Sequence, residues 1–260
     1  MFLDASALQC AVQRRIVGRP QRRTVDWGGT RCTVDLTQFV AIDPTAICKR
    51  VQRREARRLP VLAWLANRGR VELLTQTEVF WEFLGLRGTR NAFGHFFGAP
   101  MTHVESPLVY GRILVDGLRS PHEMRQDFFA RISHPRFQQL KRATGAYQGD
   151  RPSPPNEVAD TFHIWCAENA GADVFVTLDE DLVDLVARHR RFRPKVAVEL
   201  PSRAIRLARQ VGLFAATDYP EYRRFRRRLV RGASDDPLEQ LVKLGPAVER
   251  AGDCDDSAPS

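Results

Sequence analysis

Residues 156–189, NEVADTFHIWCAENAGADVFVTLDEDLVDLVARH, decide the architecture. The first half predicts a helix over about Asn156 to Asn169, with Gly171 as its stop. Val174–Leu178 is a short apolar run of the kind that forms a fully buried strand. A second helix is expected over Asp181–His189, and Lys195–Leu200 reads as another strand. Pro201 then opens a helix that ends near Gly212.

Working outward, the same alternation recurs upstream. Phe2–Ala7 reads as a buried strand with Asp4 embedded in it, Val71–Leu74 as a strand, and Thr75–Leu84 as a helix. Alternating strands and helices predict an α/β protein with a mostly parallel central sheet flanked by helices. Val25–Ile42 alternates partially around Gly28-Gly29, consistent with a small hairpin, after a basic and turn-rich stretch from Val12 to Arg23. Pro44 opens a helix that Pro60 kinks or restarts and Gly69 ends. Further helices are expected at about Ser106–Leu118, His122–Ile132 and Arg136–Thr144. The expected organisation is one domain over residues 1–212, with insertions at about 12–60 and 87–155. A basic extension follows over 213–260, ending in a disordered acidic tail.

Composition narrows the function. No apolar run approaches the roughly 18 residues a membrane-spanning helix needs, and the chain opens on a strand-like run with no basic leader, so no signal peptide is read. The five cysteines are scattered, odd in number and never in a C-x-x-C pair. That argues against a disulfide framework and a structural zinc site, and for a cytoplasmic setting. The net charge is +9, and only four of the 40 basic residues are lysine (Lys49, Lys141, Lys195 and Lys243). Base composition of the genome can exchange lysine for arginine, but it does not create the excess over 31 acidic residues, which suits a polyanionic partner. Two segments concentrate the charge. Arg50, Arg53, Arg54, Arg57 and Arg58 line one helix with only Glu55 to offset them. Arg223, Arg224, Arg226 and Arg227 interleave with Tyr222 and Phe225, a composition suited to stacking on unpaired bases. Either segment is also open to a solvated-face or acidic-partner reading.

Ligands of a parallel α/β sheet gather beyond the carboxyl ends of its strands. Asp4, Asp179 and Asp181 fall at or just past strands, Asp160 lies early in the helix that feeds Val174–Leu178, and Glu78 and Glu82 are one turn apart on the helix after Val71–Leu74. A carboxylate inside an apolar strand is costly unless paired or bound to metal. Several converging carboxylates repel one another, a conflict that a hard divalent ion such as Mg²⁺ or Mn²⁺ removes. Each also has a bland reading: Asp160 and Asp179 as helix caps, Asp181 as a first-turn acid meeting the helix dipole. His163, three residues after Asp160, reads more readily as a satisfied core group than as a catalyst. His95, His103, His122 and His134 fit no zinc spacing.

Met1-Phe2-Leu3-Asp4-Ala5-Ser6-Ala7-Leu8 and the run from Asp160 through Thr177-Leu178-Asp179-Glu180-Asp181-Leu182 resemble the PIN-domain nucleases, as does the Val196–Leu200 strand followed by Pro201. The resemblance spans roughly residues 1–210. It implies a Rossmann-like three-layer sandwich and a metal-dependent endonuclease, first of all a ribonuclease. Asp4, Glu82, Asp160 and Asp179 would be its catalytic residues, and Asp4, Asp160, Asp179 and Asp181 its Mg²⁺ or Mn²⁺ ligands. It also suggests the toxin of a toxin–antitoxin pair, with an antitoxin or a second copy of the chain as protein partners. Two departures stand out. Glu82 follows Thr75 by seven positions where the family has six, while Glu78 follows it by three, a capping-box spacing. The segments on either side of Glu82 are also long for the family. The rival expectation is a silent PIN-like protein that binds RNA or serves as a scaffold.

Overall fold

The computed structural model describes residues 1–11, 14–16, 21–27, 30–36, 39–41, 50–84, 96, 98–108, 127–149 and 153–232. Its centre is a five-stranded, all-parallel sheet with helices on its faces. The strands are β1 (Phe2–Leu3), β6 (Leu74–Gln76), β7 (Thr102–Val104), β8 (Val174–Val176) and β9 (Ala197–Glu199), in spatial order β7-β6-β1-β8-β9. All are short. Phe2, Leu3, Phe175 and Val176 have no exposed surface, and the Phe2 and Phe175 rings stack 5.6 Å apart across the β1–β8 pair. Burial on both faces is why these strands read as continuous apolar runs rather than alternating ones.

The helices are α1 (Ala5–Cys10), α2 (Arg50–Ala56), α3 (Leu59–Asn67), α4 (Thr77–Leu84), α5 (Pro135–Ala143), α6 (Pro155–Asn169), α7 (Glu180–Arg188), α8 (Pro201–Gln210) and α9 (Tyr219–Gly232). The long helix α6 lies across β6 and β8, with Phe162 at the centre of an aromatic cluster of Phe128, Phe129, Phe137 and Trp165. Outside the sheet, β3 (Gln21–Trp27) and β4 (Thr30–Leu36) pair antiparallel in the expected hairpin. A second antiparallel pair, β2 (Arg14–Ile16) with β5 (Phe39–Ala41), carries the ribbon further toward the N-terminus than the turn-rich reading allowed.

Three local expectations are corrected. The strand expected at Val71–Leu74 begins at Leu74, where its N–H reaches Met1 O, and runs to Gln76. Thr75 is therefore strand, not a cap: the Gln76 side chain accepts from Glu78 N at 2.7 Å, so no Thr75–Glu78 capping box forms. Tyr222 and Phe225, read as base-stacking rings, turn inward. Tyr222 is buried 6.3 Å from Trp64 and Phe225 packs on the core, because α9 needs an apolar stripe to dock on α3. Cys10 is disulfide-bonded, against the expectation that the scattered cysteines form no disulfide. Of the helix expected at Ser106–Leu118, Ser106–Leu108 are not helical and residues 109–118 lie outside the described residues, as does the tail beyond residue 232. Among the described residues no helix is long and apolar enough to cross a membrane.

Glu55, the lone acid of the arginine-rich helix, is 2% exposed, and its Oε2 accepts from Ser202 N at 2.8 Å. It thus caps the N-terminus of α8, where backbone donors are unsatisfied and the helix dipole favours an anion. Glu55→Ala should lose about 1–2 kcal/mol in chemical denaturation, and Glu55→Gln less. An alanine variant as stable as the parent would show that this cap is not what ties α2 to α8.

Candidate metal centre

In the order β7-β6-β1-β8-β9 the chain runs outward on one side of β1 and then resumes on the other, so the switch point of the sheet lies between β1 and β8. The crevice beyond the carboxyl ends of those two strands is where such sheets bind ligands. Asp4 follows β1 directly, and Thr177-Leu178-Asp179 follows β8. Asp4 N donates to Val176 O at 3.0 Å, which seats the two ends side by side.

The Asp4 carboxylate is 3% exposed and densely held. Its Oδ2 accepts from Ser6 Oγ at 2.7 Å and Thr177 Oγ1 at 2.9 Å, while Oδ1 lies 3.3 Å from His163 Nδ1. Each hydroxyl spends its one proton on Asp4 and accepts a backbone N–H in return: Leu178 N to Ser6 at 2.9 Å, Asp179 N to Thr177 at 3.1 Å. The network that satisfies a buried charge therefore also shapes the turn carrying Asp179.

The other predicted residues arrive from separate elements. Asp160 lies in the second turn of α6, which begins at Pro155, so it is not a cap. One turn on, His163 has no exposed surface, and ligand atoms of Asp4, Asp160 and His163 all lie within 4.8 Å of one another. Glu82, on α4, brings Oε1 to 3.6 Å from His163 Nε2. Glu78 is fully buried instead and acts electrostatically on Cys166, pushing that thiol further up after burial itself. Asp179 caps α7 by accepting from Leu182 N at 3.1 Å, and its charge is still felt at Asp160. Asp181, expected as a further ligand, is exposed in the first turn of α7, where an acid complements the helix dipole; it is not among the carboxylates that perturb Asp160 or His163. Ser6, Thr177 and the placement of His163 went unread in the sequence. Their available signals were the Asp-x-Ser start of α1, the Thr two before Asp179 and the three-residue step from Asp160.

The charges are in conflict. Burial pushes Asp160 well above the usual carboxylate range, and the Asp4, Glu82 and Asp179 carboxylates push it further, with His163 opposing. Burial works the same way on Asp4, but the hydrogen bond and charge of His163, with Ser6 and Thr177, outweigh it and hold Asp4 low. His163 is raised: burial opposes the charged form, and Glu82, Asp4 and Asp160 together overcome it. A buried ring nitrogen, His163 Nε2, makes no hydrogen bond although carboxylates surround it. Excess negative charge, oxygen donors and one unbonded nitrogen fit a divalent cation. No family model, curated protein or solved structure matches the chain.

The arginine clusters flank this crevice unequally. Arg50, Arg53 and Arg54 are exposed on α2, and Arg57 is exposed just past its end. Through Glu55, α2 is pinned to the start of α8, immediately beyond the carboxyl end of β9, on the edge of the sheet that carries the crevice. Arg223, Arg224, Arg226 and Arg227 are exposed on α9, but its start is tied to the opposite edge. There Arg70 makes a bidentate pair with Asp218 at 2.5 and 2.9 Å, and Arg68 pairs with Glu221, in the loop that leads into β6.

Linkage gives the sign of the pH dependence. A carboxyl raised in the fold stabilises below its unfolded value, and that contribution is lost as pH rises through the folded value; a raised histidine behaves alike. In EDTA, lowering the pH through the raised folded value of Asp160 should therefore raise the thermal stability of the parent relative to Asp160→Asn. Metal at a hundredfold its dissociation constant should add about 2.7 kcal/mol, or several degrees at about 2–4 °C per kcal/mol. That gain should shrink in acid and vanish in Asp160→Asn. Equal metal shifts in both proteins, read by calorimetry, would show that Asp160 holds no ion.

Proposed function

We propose that the protein is a metal-dependent nuclease that hydrolyses phosphodiester bonds, with RNA as its first expected substrate. The observation that carries this reading is the convergence of Asp4, Asp160, Glu82 and His163. They come from two helices and the end of β1, and they meet at the switch point of a parallel sheet, on the edge to which Glu55 pins the arginine-lined α2. Separately, acidic clusters and basic helices are common; their meeting on one edge suits a polyanion that reacts at a cation.

The roles divide by geometry. Asp4 and Asp160 hold the ion together with the Glu82–His163 side of the crevice, and Ser6 and Thr177 fix the rotamer of Asp4 by taking both positions at its Oδ2. Mg²⁺ or Mn²⁺ bound there supplies acidity to a water and offsets charge that grows on the phosphate. Asp160, which burial and its neighbouring carboxylates hold above the usual carboxylate range, would be a ligand whose proton a bound cation displaces. The α2 arginines contact flanking phosphates, which position a strand without reading its bases.

Labelled single-stranded and structured RNA and DNA, incubated with Mg²⁺, Mn²⁺ or EDTA, test this directly. Cleavage should need the ion and fall about 10²–10³-fold in Asp4→Asn or Asp160→Asn, the scale of losing one charge-stabilising group. Arg53→Gln/Arg54→Gln/Arg57→Gln should lower the log–log salt slope of RNA binding by about 2–3, while the matching triple change on α9 should lower it less. Binding without cleavage under any ion would replace the nuclease with a silent RNA-binding protein.

A further inference from the structure

His163 is placed as a ligand is placed, not as a satisfied core histidine. Its ring is fully buried, so neither nitrogen has water to bond. Nδ1 faces Asp4 Oδ1 at 3.3 Å, and since the other Asp4 oxygen already takes two hydroxyls, Oδ1 is the acceptor left for an N–H. A neutral imidazole that donates from Nδ1 carries a lone pair at Nε2. Nε2 lies 3.6 Å from an oxygen of Glu82 and makes no hydrogen bond, and ligand atoms of Asp4, Asp160 and His163 lie within 4.8 Å of one another. With the imidazole neutral, as a metal-binding ring must be, two acceptors at this distance repel unless a metal ion takes the place that a proton on Nε2 would otherwise hold. The Asp4–His163 contact also matches how proteins prepare a metal-binding imidazole: a carboxylate fixes one nitrogen's proton, which selects the tautomer and aims the other nitrogen at the ion.

We propose that Nε2 of His163 coordinates the metal together with Asp160 and Glu82, with Asp4 orienting the ring. The centre is then a mixed nitrogen–oxygen site that prefers a first-row transition ion over Mg²⁺. Imidazole suits such ions, whereas Mg²⁺ favours oxygen and keeps several waters. The inference rests on the reading that the crevice holds a divalent ion; it does not require that the ion cleave anything.

The test uses the full chain, stripped with EDTA and loaded with Mn²⁺ alone. Pulsed electron paramagnetic resonance should show a nitrogen coupling that changes when the protein is made with ¹⁵N-histidine and that disappears in His163→Gln. By calorimetry, His163→Gln should weaken Mn²⁺ binding about 10–100-fold and Mg²⁺ binding clearly less. The isotope exchange needs no mutation, so misfolding of the variant leaves the question decidable. Mn²⁺ bound tightly with no histidine nitrogen in its shell overturns the inference while leaving the nuclease reading intact. Nitrogen coordination without cleavage does the reverse, and failure to bind Mn²⁺ at all removes both.

Discussion

A single buried carboxylate organises this molecule. Asp4 ends a central strand of only two residues, where an unpaired anion would cost far more than the chain's net stability. Ser6, Thr177 and His163 meet that cost, each bond to the charge being worth about 1.5–3 kcal/mol. They come from the start of α1, the end of β8 and the middle of α6, so satisfying Asp4 fixes three elements at once. The hydroxyls pass the order on by accepting Leu178 N and Asp179 N, and the β8–α7 turn takes its shape from them. Losing either hydroxyl would therefore disturb Asp179 as well as Asp4.

The arrangement satisfies Asp4 and leaves the rest of the crevice in tension. Asp160 is the group that yields: burial first, and then the Asp4, Glu82 and Asp179 carboxylates, push it well above the usual carboxylate range. A fold selected for stability alone would place an amide or an apolar side chain there. Strongly perturbed groups that gather in a crevice at the switch point of a sheet are the pattern expected of a site that trades stability for chemistry.

Much of this was legible because the decisive features are local. Gly171 after α6, the apolar Val174–Val176 run and Pro201 at the start of α8 announce themselves within a few residues. Asp4 and Asp179 stood out because an acid at the end of an apolar strand is expensive wherever it occurs, and Asp160 as the acid on the helix that feeds the next strand. What escaped depends on distant pairing. Ser6 and Thr177 are ordinary residues until 171 positions of chain bring them within 3.1 Å of each other. Glu55 looked like a stray acid because its partner, Ser202, lies 147 residues away. His163 reads as a core group and is fully buried, but helical spacing gives the face of a residue and not that Asp4 and Glu82 meet it there. Tyr222 and Phe225 misled for a related reason: aromatic and arginine residues alternate in a base-stacking surface and in a docked amphipathic helix alike, and only Trp64 on α3 separates the two.

The distribution of charge then has a physical logic that the net value of +9 conceals. An acidic crevice repels the polyanion it would have to engage, and screening confines each charge's influence to roughly 10 Å at ordinary ionic strength. Arginines on a remote face would not cancel that repulsion, however many there were. The α2 arginines are exposed on a helix pinned by Glu55 to the crevice edge of the sheet, whereas Arg68 and Arg70 fasten the start of α9 to the other edge. On the proposed reading, a divalent ion in the crevice would turn its local potential from repulsive to attractive, and the α2 guanidinium groups and the carboxylate cluster would then act on a polyanion in the same sense. Metal binding and polyanion binding at this edge should therefore reinforce one another, since each removes the charge conflict that opposes the other.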